Sequence, residues 1–442
     1  MAAPTLPVLR RRTATLDPGT GRRGAAPTMT AGLRLVSGWL GTMEHLSGTG
    51  VLDAEALMDE VLGGTGQIAS TLETLEEPLA RLLEAVEAEA DLSALGQWTL
   101  RWDLRRLLTN VARLRTEEER RPAILDEPVV APIFITGLPR SGTSFLHRLM
   151  AEDPGNLVPR QWQTVYPYPE QGHRAGDPQA RERRAEAQLR WFARLTPEIE
   201  RVHPLHSRYP QECIEITAHV FQSARFSDML DVPSYQRWLD GHGLVDAYRF
   251  HRRFLQHLQS QSARGPWVLK APSHVFALDD LQLVYPDARF VFVHRDPLKV
   301  IPSVARLTEV LRAPFARHVD REGIGRQVLD DWARAGERLV ELDRRKLVDD
   351  ERVVHVRYTD LTARPLDTVS RIYRHFELPL EPAAVAGMRR LVADSPRGGY
   401  GRNHYSLEAY GVTRAEVRNR FADYAMHFGV SSEGVRTEGT AA

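Results

Sequence analysis

The segment PIFITGLPRSGTSFLHRLM, residues 132–150, changes character twice along its length. Ile133, Phe134 and Ile135 form an apolar, partly β-branched run that reads as a buried parallel strand. Gly137, Pro139 and Gly142 break the run and force a tight loop. From Thr143 the pattern becomes helical, with Phe145, Leu146, Leu149 and Met150 on one face and His147 and Arg148 off it. Strand, glycine loop and helix N-terminus together are suited to holding phosphate. Backbone N–H groups without helical partners meet the anion at the positive end of the helix dipole.

The loop also narrows the choice of phosphate compound. A nucleoside-triphosphate loop of the form GxxxxGK[ST] carries a lysine after its second glycine. In GLPRSGTS, Gly137 to Ser144, the glycine spacing is kept but Thr143 stands where that lysine would be. The cation comes earlier, as Arg140, and two hydroxyls follow the second glycine, Thr143 and Ser144. A nucleotide with a short 5′ side and no γ-phosphate suits this loop better than a magnesium triphosphate.

The rest of the chain sets the context. Its 442 residues suggest one large α/β domain with a smaller helical part. Lys+Arg and Asp+Glu both number 58, so no global field draws the protein to nucleic acid or an anionic membrane, and any anion site is local. Cys213 is the single cysteine, which rules out an intrachain disulfide and makes a reducing, cytoplasmic setting the default. No stretch has the roughly 20 apolar residues of a membrane-spanning helix. Residues 1–28 are rich in Arg, Ala, Pro, Gly and Thr and have no apolar core like that of a secretory signal. Residues 1–45 read as a poorly ordered tail, 46–127 as a helical N-terminal subdomain, 128–430 as the α/β domain and 431–442 as a flexible end.

In the helical part, Asp53 is placed to cap a helix through Leu57 and Val61 that Gly63-Gly64 stops. Leu79, Leu82, Leu83 and Val86, then Leu104, Leu107, Leu108, Val111 and Leu114, mark further amphipathic faces. This part is a structural buttress, an acceptor wall or a homodimer contact. Beyond the loop helix, the proline-broken stretch RQWQTVYPYPEQG places Trp162, Tyr166 and Tyr168 either around an acceptor pocket or over the core. Residues 178–195 form a charged helix with a solvated arginine face. The segment HPLHSRYPQECIEITAHVF, residues 203–221, gathers His203, His206, Glu212, Glu215 and His219 without metal-ligand spacing. Its Cys213, Ile216, Val220 and Phe221 make a helical stripe, and Glu212 stands at the start of that helix, as a cap or as an acid–base group.

Three more strands are expected, at Trp267–Leu269, Arg289–Val293 and Arg352–Val356. They run into Lys270, Arg295 and Tyr358. Apolar runs alternating with helices imply a P-loop-like, three-layer α/β domain with a central parallel sheet. Ligands in such sheets sit beyond the carboxyl ends of the strands, where these polar groups and Arg140 gather.

On these residues the chain resembles sulfotransferases that use 3′-phosphoadenosine 5′-phosphosulfate (PAPS), in the bacterial branch with a PRSGT loop. GLPRSGTSFLHRLM resembles the 5′-phosphosulfate loop of that family, and VFVHRDPLKVIPSVARL, residues 291–307, its 3′-phosphate motif. VRYTDL, residues 356–361, resembles the segment near the adenine, and GGYGRNHYSLEAYG, residues 398–411, the late loop over the cofactor. The similarity runs from about residue 50 to 428. It implies that Gly137, Arg140, Ser141, Gly142, Thr143, Ser144, Arg295, Ser303, Tyr358 and Arg402 bind PAPS, whose spent form is adenosine 3′,5′-bisphosphate. It implies sulfuryl transfer to a hydroxyl or amine, with Arg140 and Lys270 stabilising the leaving oxygen and no metal. The base is less direct. Where the branch carries Trp-Glu, this chain has Trp162-Gln163, and glutamine cannot take the proton. His274 is the first candidate, with Glu212, His206 and Glu170 in reserve. The aromatics suggest a small-molecule acceptor, such as a natural product, glycoside or lipid. A P-loop kinase and a nucleotide-binding relative without turnover are the competing readings.

Overall fold

The computed structural model describes residues 53–62, 69–169, 178–202, 204–262, 265–394 and 406–430. Arg402, Glu170 and His203, the terminal tails and most of the late glycine-rich segment lie outside these residues.

Four strands form one parallel sheet: β1 (Ile133–Gly137), β2 (Val268–Lys270), β3 (Arg289–His294) and β4 (Val353–Arg357). Their order is β2-β1-β3-β4. Phe134 pairs with Leu269 on one side and Phe290 on the other. The buried runs expected of a doubly covered sheet are present, with every residue of β1 and β2 buried. Alternation divides the strand residues between two layers. Phe134, Leu269, Phe290 and Phe292 pack with the helices Val245–Gln259, Leu278–Val284, Pro297–Arg312 and Arg321–Arg344. Ile133, Ile135, Val268, Val291 and Val293 face the other way, onto Thr143–Met150, Pro365–His375 and Pro382–Asp394.

The chain leaves β1 towards β2 on one side and returns across it to β3 on the other. The crevice beyond the carboxyl ends of β1 and β3 is therefore a switch point, the place where such sheets bind ligands. Gly137 makes this possible at the end of β1. Its φ is 127°, and a Cβ there would run into the Val293 carbonyl of β3.

The N-terminal helices are Ala54–Leu62, Ala69–Glu89 and Ala94–Arg120. Asp53 caps the first, accepting a hydrogen bond from Ala56 N at 2.8 Å. Their apolar faces share a core with Phe221, Phe226, Tyr235, Leu239 and Phe315. The stripe expected through Phe221 is interrupted. The helix spans only Cys213–Thr217, a tighter turn follows at Ala218–Val220, and Phe221 closes it in the left-handed region at φ 55°. That turn swings Phe221 into the N-terminal core.

Gly137→Ala is expected to destabilise the protein by roughly 1–3 kcal/mol or more, since a strained φ and a steric conflict with β3 coincide. Denaturant unfolding measures this, and unchanged stability would show that the β1–β3 approach does not need glycine.

Candidate active site

The loop after β1 carries its first cation in strained backbone. Arg140 has φ 60°, and Gly142, just ahead of the helix Thr143–Met150, has φ 95°. Gly142 lies so close to Tyr358 and Leu361 that an added Cβ would sit 3.1 Å from each. Ser141 is fully buried and its Oγ donates to the Leu138 carbonyl at 2.5 Å, so it shapes the loop from within. The loop is thus held in one conformation with its helix N-terminus facing the crevice.

The loop after β3 meets it there. Arg295 Nη1 donates to the Arg140 carbonyl at 2.6 Å, and Arg140 Nε donates to Ser303 Oγ at 3.1 Å. Asp296 caps the helix Pro297–Arg312 by accepting from Leu298 N, which fixes where Ser303 falls two turns in. The Arg295 guanidinium lies 3.8 Å from the Tyr358 ring centroid. Two cationic groups, a serine and an aromatic ring from three strand ends thus form one continuous wall.

At the end of β2, Lys270 Nζ donates to Ser144 Oγ at 3.0 Å and pairs with Glu212. Lys270 is buried, so its charge needs that partner. Glu212 is the N-cap residue of Cys213–Thr217. Glu215, on the same helix, joins a buried quartet that sequence reasoning missed. Arg106 bridges Asp103 (2.8 Å) and Glu215 (2.7 Å), and Arg225 bridges the same two carboxylates (2.7 and 2.8 Å). The two guanidinium groups hold the Asp103 carboxyl well below its usual range against the opposing effect of burial. The quartet ties the helix bearing Glu212 to Ala94–Arg120, so the N-terminal helices reach the site through charge.

These groups line a cavity of about 1250 Å³. One part is polar, with Arg140, Thr143, Ser144, Lys270, Glu212, Arg295, Ser303 and Tyr358. The rest of the lining carries the apolar residues Phe145, Phe192, Ile199, Leu205, Ile214, Met229, Leu307, Leu311 and Trp332 together with Arg225, Asp228, Asp240, Asp331 and Arg334. None of the described N-terminal residues 54–126 lines it. Neither do Trp162, Tyr166 and Tyr168. Arg181 stacks over Trp162 and Arg184 over Tyr166, while the Tyr168 hydroxyl bonds His257 Nδ1 at 2.7 Å. Those aromatics cover the core. Gln163 is likewise structural, its Oε1 accepting from Arg160 N at 2.9 Å as a helix cap.

His274 does not reach the cavity. It is buried against Phe134, and its Nδ1 is hydrogen-bonded to the Tyr248 hydroxyl at 2.8 Å. Burial holds its imidazole well below the ordinary value, so it is neutral and enclosed. A base must reach its proton, and this geometry argues against His274 in that role. His206 is exposed and accepts from Arg208 N, outside the cavity lining. Glu212 alone of the described candidate bases lines the cavity. Asp228, which sequence reasoning also missed, lines it as well.

Residues 132–382, more than half of the chain, match the model of the Sulfotransferase family. The chain belongs to that family. It is 27% identical over 300 residues to the omega-hydroxy-beta-dihydromenaquinone-9 sulfotransferase Stf3 of Mycobacterium bovis, covering 64% of this chain and 71% of the relative. The Stf3 of Mycobacterium tuberculosis matches to the same extent. Among solved structures, sulfotransferase STF1 from Mycobacterium tuberculosis H37Rv aligns with a TM-score of 0.73 and 31% identity, over 84% of this chain and 99% of that one. STF9 from Mycobacterium avium aligns with a TM-score of 0.77 and 27% identity, over 87% and 99%. The sheet flanked by helices and the enzyme class are therefore those of a sulfotransferase, and the kinase and non-catalytic readings fall away. No described helix of this sulfotransferase is long and apolar enough to cross a membrane.

His274→Leu is expected to cost about 1–3 kcal/mol, because the buried Tyr248 hydroxyl loses its partner. Turnover per folded molecule should stay within about threefold of the parent. Unfolding curves and rates normalised to folded protein test this, and a hundredfold loss in a fully folded variant would return the base role to His274.

Proposed function

We propose that this sulfotransferase takes its sulfuryl group from PAPS and passes it to a hydroxyl on an apolar, lipid-like small molecule. The observation that carries the reading is the contact of Arg140 with Ser303 and of Arg295 with the Arg140 carbonyl. The residues fit the donor. A loop with a helix N-terminus suits a 5′-phosphosulfate, and Arg295 with Ser303, one loop away, suits a second phosphate on the same nucleoside. Gly137 and Ser141 set the loop's shape, while Gly142, Thr143 and Ser144 present its helix start. Tyr358 offers a ring beside the adenine, and Arg402 is assigned to the same donor by its place in the late loop.

The donor supplies the sulfuryl group and a phosphate leaving group. Arg140 can fork onto phosphate oxygens and stays charged at any working pH. Lys270, held between Ser144 and Glu212, brings a compact cation to the leaving oxygen, where negative charge grows. Glu212 keeps that cation in place and keeps the buried end of the site neutral. The apolar residues of the cavity support the acceptor class, as does the lipid-like quinone in the name of the Stf3 relatives.

Calorimetry on the full chain is expected to find adenosine 3′,5′-bisphosphate bound at least tenfold more tightly than AMP, about 1.4 kcal/mol. Arg295→Ala should abolish most of that difference. Equal affinity for the two nucleotides in the parent protein would remove the 3′-phosphate assignment.

A further inference from the structure

Asp228 has no role in the description so far. It lies on the short helix Ala224–Met229 and lines the cavity beside the apolar residues Met229 and Leu311. Water reaches its side chain within the cavity. The other described acids on this wall are committed: Glu212 to Lys270, Glu215 to Arg106 and Arg225, and Asp240 and Asp331 to Arg334. Asp228 makes no hydrogen bond or ion pair among the described residues. A carboxylate paired with a cation is a weak proton acceptor, because taking the proton sacrifices the pair. An uncommitted carboxylate sacrifices no ion pair when it takes a proton, so it is a better acceptor than its paired neighbours.

The position of Asp228 is suitable as well. Asp228 lines the same cavity as Ser144, Lys270 and Glu212. The surrounding protein, and then Glu212, push its carboxyl up to about 7. Arg312 opposes this, itself engaged with Asp231, Ser227 and Gln327, while Asp331 adds to it. Of the remaining ionisable groups on the packed elements, Lys299 and Arg237 are exposed cations, and Lys299 also lines the cavity. Glu215 and Arg225 are in the quartet, Asp240 is with Arg334, and His219 is held by Asn110 and backbone carbonyls.

We propose that Asp228 is the general base of the reaction, taking the proton of the acceptor hydroxyl while Glu212 holds Lys270. The inference rests on the sulfuryl-transfer reading above. The acceptor O–H bond breaks and its proton passes to an Asp228 carboxylate oxygen, while the oxygen's electron pair forms the new S–O bond. The S–O bond to the 5′-phosphate breaks, and its pair leaves with adenosine 3′,5′-bisphosphate beside Lys270. The base works unprotonated, so the rate should rise with pH through neutrality.

The test compares the full-length parent with Asp228→Asn and Asp228→Glu. With a long-chain primary alcohol as acceptor and labelled PAPS, Asp228→Asn should lower kcat by about 10²–10⁴-fold and remove the rise near pH 7. Asp228→Glu should recover part of the rate and restore the rise. Infrared titration without substrates should show one carboxyl titrating near neutrality in the parent and not in Asp228→Asn. Calorimetric affinity for adenosine 3′,5′-bisphosphate should be unchanged. If the parent transfers sulfate and Asp228→Asn keeps both rate and pH rise, the base assignment is wrong while the sulfotransferase reading stands. If the parent binds no adenosine bisphosphate, the underlying reading fails first.

Discussion

The hydrogen bond from Arg140 to Ser303, with the return bond from Arg295 to the Arg140 carbonyl, fixes the geometry of the whole site. Two loops that begin on adjacent strands, 155 residues apart in sequence, are made into one surface. The parallel pairing of β1 with β3 brings them together, and Gly137 permits that pairing at its last register position. The sheet is therefore the ruler for the site. Its strand spacing of about 4.8 Å sets the distance between the loop that suits a 5′-phosphosulfate and the arginine that suits a 3′-phosphate.

Charge balance decides what stands behind this surface. Lys270 is buried and paired with Glu212, and Glu212 is fixed by a short helix that cannot hold itself in place. The quartet of Asp103, Arg106, Glu215 and Arg225 anchors that helix to the N-terminal bundle. Buried ion pairs contribute little net stability, and breaking one leaves an unpaired charge at a cost of about 3–5 kcal/mol. The quartet is thus better understood as setting position than as adding stability. It gives the N-terminal helices a part in the site although none of their described residues touches the cavity.

The sheet and the anion loop were legible because they obey local rules. Ile133–Ile135 and Arg289–Val293 are apolar runs, and Gly137 and Gly142 mark turns that tolerate few other residues. Lys270, Arg295 and Tyr358 were found by their places at strand ends. The acceptor side was less legible. Trp162, Tyr166 and Tyr168 sit just past the loop in sequence, but arginines of the helix Pro178–Leu195 cover the first two and Tyr168 bonds His257, tertiary contacts with no local signal. His274 follows Lys270 by four residues, yet the tight turn Pro272–Phe276 directs it into the core beside Tyr248. Asp228 lies in FSDML, which has no motif, and its importance comes only from what surrounds it in space. Glu215 was visible as a carboxylate, but its partners Asp103, Arg106 and Arg225 lie far away in the chain or across a turn.

The most direct measurement is a crystal structure of the full chain with adenosine 3′,5′-bisphosphate. The 5′-phosphate should lie against Arg140 and the backbone amides at Thr143 and Ser144, with the 3′-phosphate of the same molecule on Arg295 and Ser303. A nucleotide that occupies only one of these positions, or lies outside the crevice between β1 and β3, would contradict the single bridging site.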